Sequence, residues 1–156
     1  MEIKAQLNKP YTEEQRIDFI VEQNHKQGFE IRETETALEA WGYTQEEKEQ
    51  QEAERIANLH LTRGDVFRGL LLAKGITRAE IRGIIEAMPE GTPQEKIAKE
   101  YALIDFDEAL EFYRGVALID TLGAQLGITS EQMTKFFETK DWHELITTEE
   151  TSEEEE

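Results

Sequence analysis

The chain has no cysteine, so disulfides and thiolate metal ligands are excluded, and a reducing compartment suits it. It has three prolines in 156 residues, which leaves long stretches free to be helical. Its apolar runs are a few residues long, Leu70-Leu71-Leu72-Ala73 among the longest, far short of the roughly 20 needed to span a bilayer. The opening Met1-Glu2-Ile3-Lys4 lacks the apolar core of a signal peptide, so export by that route is not expected. Positive charge is scarce: 17 Lys and Arg face 35 Asp and Glu, a net of −18. The imbalance is uneven. Residues 1–61 carry 7 basic and 14 acidic side chains, residues 62–88 carry 5 and 3, and residues 89–156 carry 5 and 18. Such a field repels phosphate backbones and anionic lipid, so neither nucleic acid nor membrane is an expected partner.

What is present is a strong helical pattern with 38% apolar residues, enough for a core. One phrase occurs twice. Gly75-Ile76-Thr77 and Gly127-Ile128-Thr129 each lie between two apolar helical stripes, the second stripes being Ile81, Ile84, Ile85 and Met133, Phe136, Phe137. Each phrase supplies a left-handed stop, an apolar anchor and an N-cap, the ingredients of a helix–turn–helix. Further capping boxes stand at Thr12–Gln15 and Thr44–Glu47, and Thr92-Pro93 reads as N-cap and first helical residue.

These signals divide the chain. Residues 2–34 read strand–helix–strand, from the alternation of Ile3, Ala5 and Leu7, the stripe of Ile17, Ile20 and Val21, the stop at Gly28, and Phe29 to Arg32. Thr36 to Trp41 reads as a short helix closed by Gly42. Residues 1–43 thus form a small α+β module, and residues 44–61 a connecting helix. Residues 62–148 form a five- or six-helix bundle of helix–turn–helix hairpins, so the fold class is mainly α. Within it residues 93–114 read as one helix, apolar on two faces and central, with Gly115 as its stop and a break near Asp105 as an alternative. Trp142 and Leu145 fold back on the last hairpin. Residues 149–156 form a disordered acidic tail.

Chemistry is poorly represented. His25, His60 and His143 are isolated from any ligand-spaced partner. Asp107, Glu108 and Glu111 share a helix neighbourhood, but a di-metal bundle needs Glu-x-x-His on partner helices, and an Arg114–Glu111 ion pair accounts for the local charge. Arg63-Gly64-Asp65 falls in the first turn of a helix, not in the exposed loop that integrin recognition requires. No catalytic residue, cofactor site or metal is therefore expected. Two residue sets remain as candidate protein contacts. Phe29, Trp41 and Tyr43 are aromatic anchors, or else the small core of their own module. Arg63, Arg68, Arg78 and Arg82, with Lys74, form a basic stripe that either pairs internally or meets an acidic partner. Sequence-specific DNA binding is not expected, because the second helix of each hairpin commits its apolar residues to packing.

Residues 9–47, KPYTEEQRIDFIVEQNHKQGFEIRETETALEAWGYTQEE, about a quarter of the chain, carry Tyr11-Thr12, Phe19-Ile20, Glu33-Thr34 and Trp41-Gly42-Tyr43. This stretch resembles the opening of small proteins encoded in phages and prophages of gut Firmicutes, near tail-fibre genes. The resemblance implies a non-enzymatic, virion-associated or tail-assembly accessory protein with a protein partner, acting in the cytoplasm or on the virion. It implies no catalytic residues and does not reach residues 62–148. The alternative is an acidic nucleic-acid mimic that inhibits a host enzyme, which would need ordered rows of carboxylates on one face.

Overall fold

The computed structural model describes residues 1–146, so the expected acidic tail at 149–156 lies outside the described residues. The chain is mainly α-helical, with short strands, and divides into two compact units, Met1–Ala53 and the residues from Glu54 onward.

The first unit is an antiparallel sheet of β1 (Glu2–Asn8), β2 (Glu30–Glu33) and β3 (Ala37–Gly42), in the order β1-β3-β2. Register puts Ala5 opposite Ala40, Leu7 opposite Leu38 and Ile31 opposite Ala40, so these share a face. Ile3 and Glu30 sit opposite Trp41, and Arg32 opposite Glu39, on the other face. Between β1 and β2 run α1 (Glu13–Ile20) and a π-helical turn over Val21–Lys26. The Thr12–Gln15 capping box starts α1, and Gly28, at φ +74°, makes the left-handed turn into Phe29. The strand–helix–strand reading of residues 2–34 matches these elements. The expected helix at Thr36–Trp41 does not form: those residues belong to the central strand. Ala37, Leu38 and Ala40 are buried there, and β3 gains ladder hydrogen bonds on both edges, which outweighs the helix preference of Ala, Leu and Glu. Gly42 is accordingly no helix stop. A Cβ there would stand 2.8 Å from the Phe29 ring.

The helix begun by the Thr44–Glu47 box is α2 (Gln45–Ala57), shorter than the expected 44–61. Past it the chain forms β4 (His60–Thr62), which pairs with β5 (Glu111–Tyr113) and sets Leu61 opposite Phe112, both about 1% exposed. This ribbon corrects the expectation of a helix over 93–114. Helix α5 (Pro93–Glu108) stops at Ala109, because Phe112 reaches the core only from an extended strand. Gly115 serves close approach, not termination: a Cβ on it would lie 2.9 Å from that of Ala57.

Four more helices fill the second unit: α3 (Arg63–Lys74), α4 (Arg78–Glu86), α6 (Ala117–Leu126) and α7 (Ser130–Thr139), followed by a 3-10 turn at Trp142–Leu145. Gly75 and Gly127 end α3 and α6 at φ +65° and +68°, and Thr77 and Thr129 open α4 and α7 with capping boxes. Ile81, Ile85, Phe67, Phe106, Leu122 and Phe136 anchor one continuous core, and Leu145 folds back into it. Phe67 packs tilted against Phe106 and edge-on against Phe112, at centroid distances of 5.3 and 5.8 Å. Helix α5 is not central. It buries Ala102 and Phe106, while Ile97, Tyr101 and Ile104 face outward.

Arg114 is the one buried charged residue among the described residues. It does not pair with Glu111. Its guanidinium donates to Asp120 Oδ1 at 2.7 Å, Ser130 Oγ at 2.8 Å, Thr134 Oγ1 at 3.1 Å and the Ser130 carbonyl at 3.2 Å. Its own backbone N–H donates to Leu59 O at 2.7 Å. Strand β5, α6 and the start of α7 are thereby tied to one side chain.

Three outcomes follow for stability. Arg114→Ala should lose about 2–3 kcal/mol in urea denaturation, since four charge-assisted or neutral hydrogen bonds and a buried stem disappear together; a loss under about 0.5 kcal/mol would show the network to be ornamental. Gly69→Ala should cost about 1–3 kcal/mol, because the new Cβ would lie 2.3 Å from Phe136 Cζ. Gly83→Ala, at an exposed position of α4 with nothing within 4 Å, should instead gain about 0.5–1 kcal/mol. Equal effects at both glycines would contradict this packing.

Candidate functional site

Phe29, Trp41 and Tyr43 converge at one end of the N-terminal sheet. They line a hollow of about 540 Å³ together with Asn24, Gly28 and Lys48. Phe29 arrives from the glycine turn at 28, Trp41 from the central strand, and Tyr43 from the link to α2. None of the three is buried, and Tyr43 is 42% exposed. They do not form a closed core; Ala37, Leu38 and Ala40 do that.

Trp41 is held in place by its neighbours. Its indole N–H donates to Glu39 Oε2 at 2.9 Å, and the Arg32 guanidinium lies 4.7 Å from its ring centroid. Arg32 is fixed in turn by Glu30 Oε1 at 2.9 Å, and that bond holds the Glu30 carboxyl below its ordinary pKa. A cation over an indole face leaves the opposite face and edge for contact. Arg32 escaped the sequence reading because its partner is a diagonal neighbour across the sheet; only the pairing of Glu30 with Trp41 and Arg32 with Glu39 reveals it.

The hollow is braced by Glu47. Its carboxylate accepts hydrogen bonds from the Met1 ammonium and from the Thr44 N–H, the latter at 2.8 Å. These two donors, the ammonium first, hold its pKa down to about 2.

The basic stripe divides. Arg63, Arg78 and Arg82 gather around the Phe67–Phe106 pair in the C-terminal unit. Arg63 lies 5.6 Å from the Phe67 ring and 5.8 Å from Phe106, and donates to the Asp107 carbonyl at 2.7 Å. Arg78 lies 5.5 Å from Phe67 and Arg82 5.9 Å from Phe106. Arg82 also bonds Asp107 and, at 3.0 Å, Glu86. Arg68 stands apart and pairs with Asp65 at 2.7 Å. Three of the four cations therefore cover an aromatic edge of the core, and of these Arg82 is neutralised by carboxylates. Lys74 also has an interaction.

Among the described residues no group of three or more His, Asp or Glu side chains could hold a metal ion, and no helix is long and apolar enough to cross a membrane. His143 stacks on Trp142 at 3.8 Å and meets Asp141 at 2.6 Å, while His60 lies 5.3 Å from Tyr113.

A pH dependence follows from Glu47. Its folded pKa is depressed, so its contribution to stability is complete above the ordinary carboxylate range and is lost as pH falls towards about 2. Urea midpoints of the N-terminal unit should therefore fall between pH 5 and pH 2, and Glu47→Gln should flatten that fall while lowering the midpoint at pH 7. Parallel pH curves for the two proteins would remove Glu47 from this role. No protein-family model, curated protein or solved structure matches the chain.

Proposed function

We propose that the protein is a non-enzymatic binding protein which seats a protein partner in the hollow formed by Phe29, Trp41 and Tyr43. The observation that carries this reading is the convergence on one concavity of three aromatics, Tyr43 exposed and Phe29 and Trp41 half-buried, from the glycine turn, the central strand and the link to α2. Large, rigid aromatic side chains in a partly desolvated pocket are what protein interfaces use as anchors. Lys48 and Glu30 bring one charge of each sign to the lining, and Glu30 is paired with Arg32 behind Trp41.

The resemblance of residues 9–47 to phage and prophage proteins supports an accessory role in tail assembly, in the cytoplasm or on the virion. In this reading the C-terminal unit is a bundle of helix–turn–helix hairpins that acts as scaffold and does not read DNA. Arg63, Arg78 and Arg82, the cations such a function would need, are engaged with Phe67, Phe106 and Asp107.

The test is a pull-down of the full chain against the tail proteins encoded beside it. One of them should be retained, and Trp41→Ala with Tyr43→Ala should weaken that retention at least tenfold while circular dichroism stays unchanged. Retention that survives the double substitution would move the site elsewhere. Failure with every tail protein, or a gel-shift selection that enriches one DNA sequence at physiological salt, would defeat the reading itself.

A further inference from the structure

We propose that the outer face of α5 is a second docking surface, and that it takes a basic amphipathic helix of another protein. Ile97, Tyr101 and Ile104 recur at i, i+4 and i+7, which places them along one side of the helix. They are 54%, 66% and 48% exposed, and Leu110, just past the helix end, is 84% exposed. Isolated apolar side chains at a surface are ordinary, but a continuous stripe is not. The core has no use for this side, because α5 packs inward through Ala102 and Phe106.

The rim of the stripe decides the occupant. At 100° per residue, Glu100 borders it on one side, Asp105 on the other, and Glu108 continues it at the carboxyl end. Several acids elsewhere in this unit are matched, Asp120 by Arg114, Asp107 by Arg82 and Glu90 by Lys99, and Glu80 and Glu95 are held in helix caps. Glu100, Asp105 and Glu108 have no ion-pair partner among the described residues, and Lys96, one turn before Glu100, does not pair with it. An apolar stripe framed by three unmatched carboxylates is complementary to a helix with an apolar face and flanking Lys or Arg.

Two other occupants fit worse. The chain's own residues 147–156, TTEETSEEEE, have no apolar side chain and carry only negative charge. A second copy would bring the same acidic rim against this one, at a net charge of −18 on each chain.

The probe is a fluorescent 18-residue Leu/Lys peptide with an amphipathic helical pattern, compared with a shuffled isomer that has no apolar face, both titrated into the full chain at physiological salt. The patterned peptide should bind at least tenfold tighter than the isomer. Ile97→Ser with Tyr101→Ser and Ile104→Ser should abolish that margin, and Glu100→Lys with Asp105→Lys and Glu108→Lys should weaken binding at least tenfold. In the unsubstituted protein, amide shifts on peptide addition should concentrate in residues 96–110, which tests the site without any variant. Equal binding of the isomer would reduce the effect to bulk charge and overturn the proposal. So would shifts centred elsewhere, or a sedimenting dimer that the triple serine variant converts to monomer.

Discussion

The C-terminal unit depends on one buried cation. A guanidinium withdrawn from water is tolerated only when its donors find partners, and Arg114 finds a carboxylate, two hydroxyls and a carbonyl. The arrangement works against an unfavourable field, because the amino end of α7 carries the positive pole of that helix. Asp120 offsets it from α6, and Ser130 offers its side-chain and carbonyl oxygens in place of its N–H. The N–H of Arg114 reaches Leu59, so the same residue also secures the entrance to the β4–β5 ribbon. Helix–helix packing supplies most of the apolar burial around it, but Arg114 specifies how β5, α6 and α7 meet.

The N-terminal unit is built differently. Its core is little more than Ala37, Leu38 and Ala40, and Ile17 and Val21 stay exposed on its helix. Local polar pairings carry much of the definition instead: Tyr11 and Lys9 both reach Glu33, Glu47 holds Met1 and Thr44, and Asn24 donates to the Phe29 carbonyl. Such a unit is well suited to hold aromatics at its surface, since it has little interior in which to bury them.

What could be read from the sequence follows the range of the interaction. The N-caps at Thr12, Thr44, Thr77, Thr92 and Thr129 involve residues three apart, and all five form. The glycine stops at 28, 75 and 127 are as local, and all three have positive φ. The misread elements answer to distant partners. Ala37-Leu38-Glu39-Ala40 favours a helix by intrinsic preference and becomes a strand because β1 and β2 flank it. Glu111-Phe112-Tyr113 continues a helical pattern and becomes a strand because Leu61 lies opposite. The two apolar faces of α5 looked alike in sequence; which one is covered is decided by neighbours. The same holds for the site. Phe29, Trp41 and Tyr43 were visible as aromatics, but their convergence, and the place of Arg32 over Trp41, exist only once the strands pair.

The ribbon has a kinetic meaning as well. Leu61 meets Phe112 only after α3, α4 and α5 have been gathered into the loop between them. Closing a loop of that size costs entropy before the pairing returns anything, although the cost grows slowly, about 0.6 kcal/mol for each doubling of length. The helices inside the loop can shorten that search by condensing first. The unit is therefore a helical protein whose completion waits on a strand pairing, and its folding rate should be governed by contact order more than by helix formation.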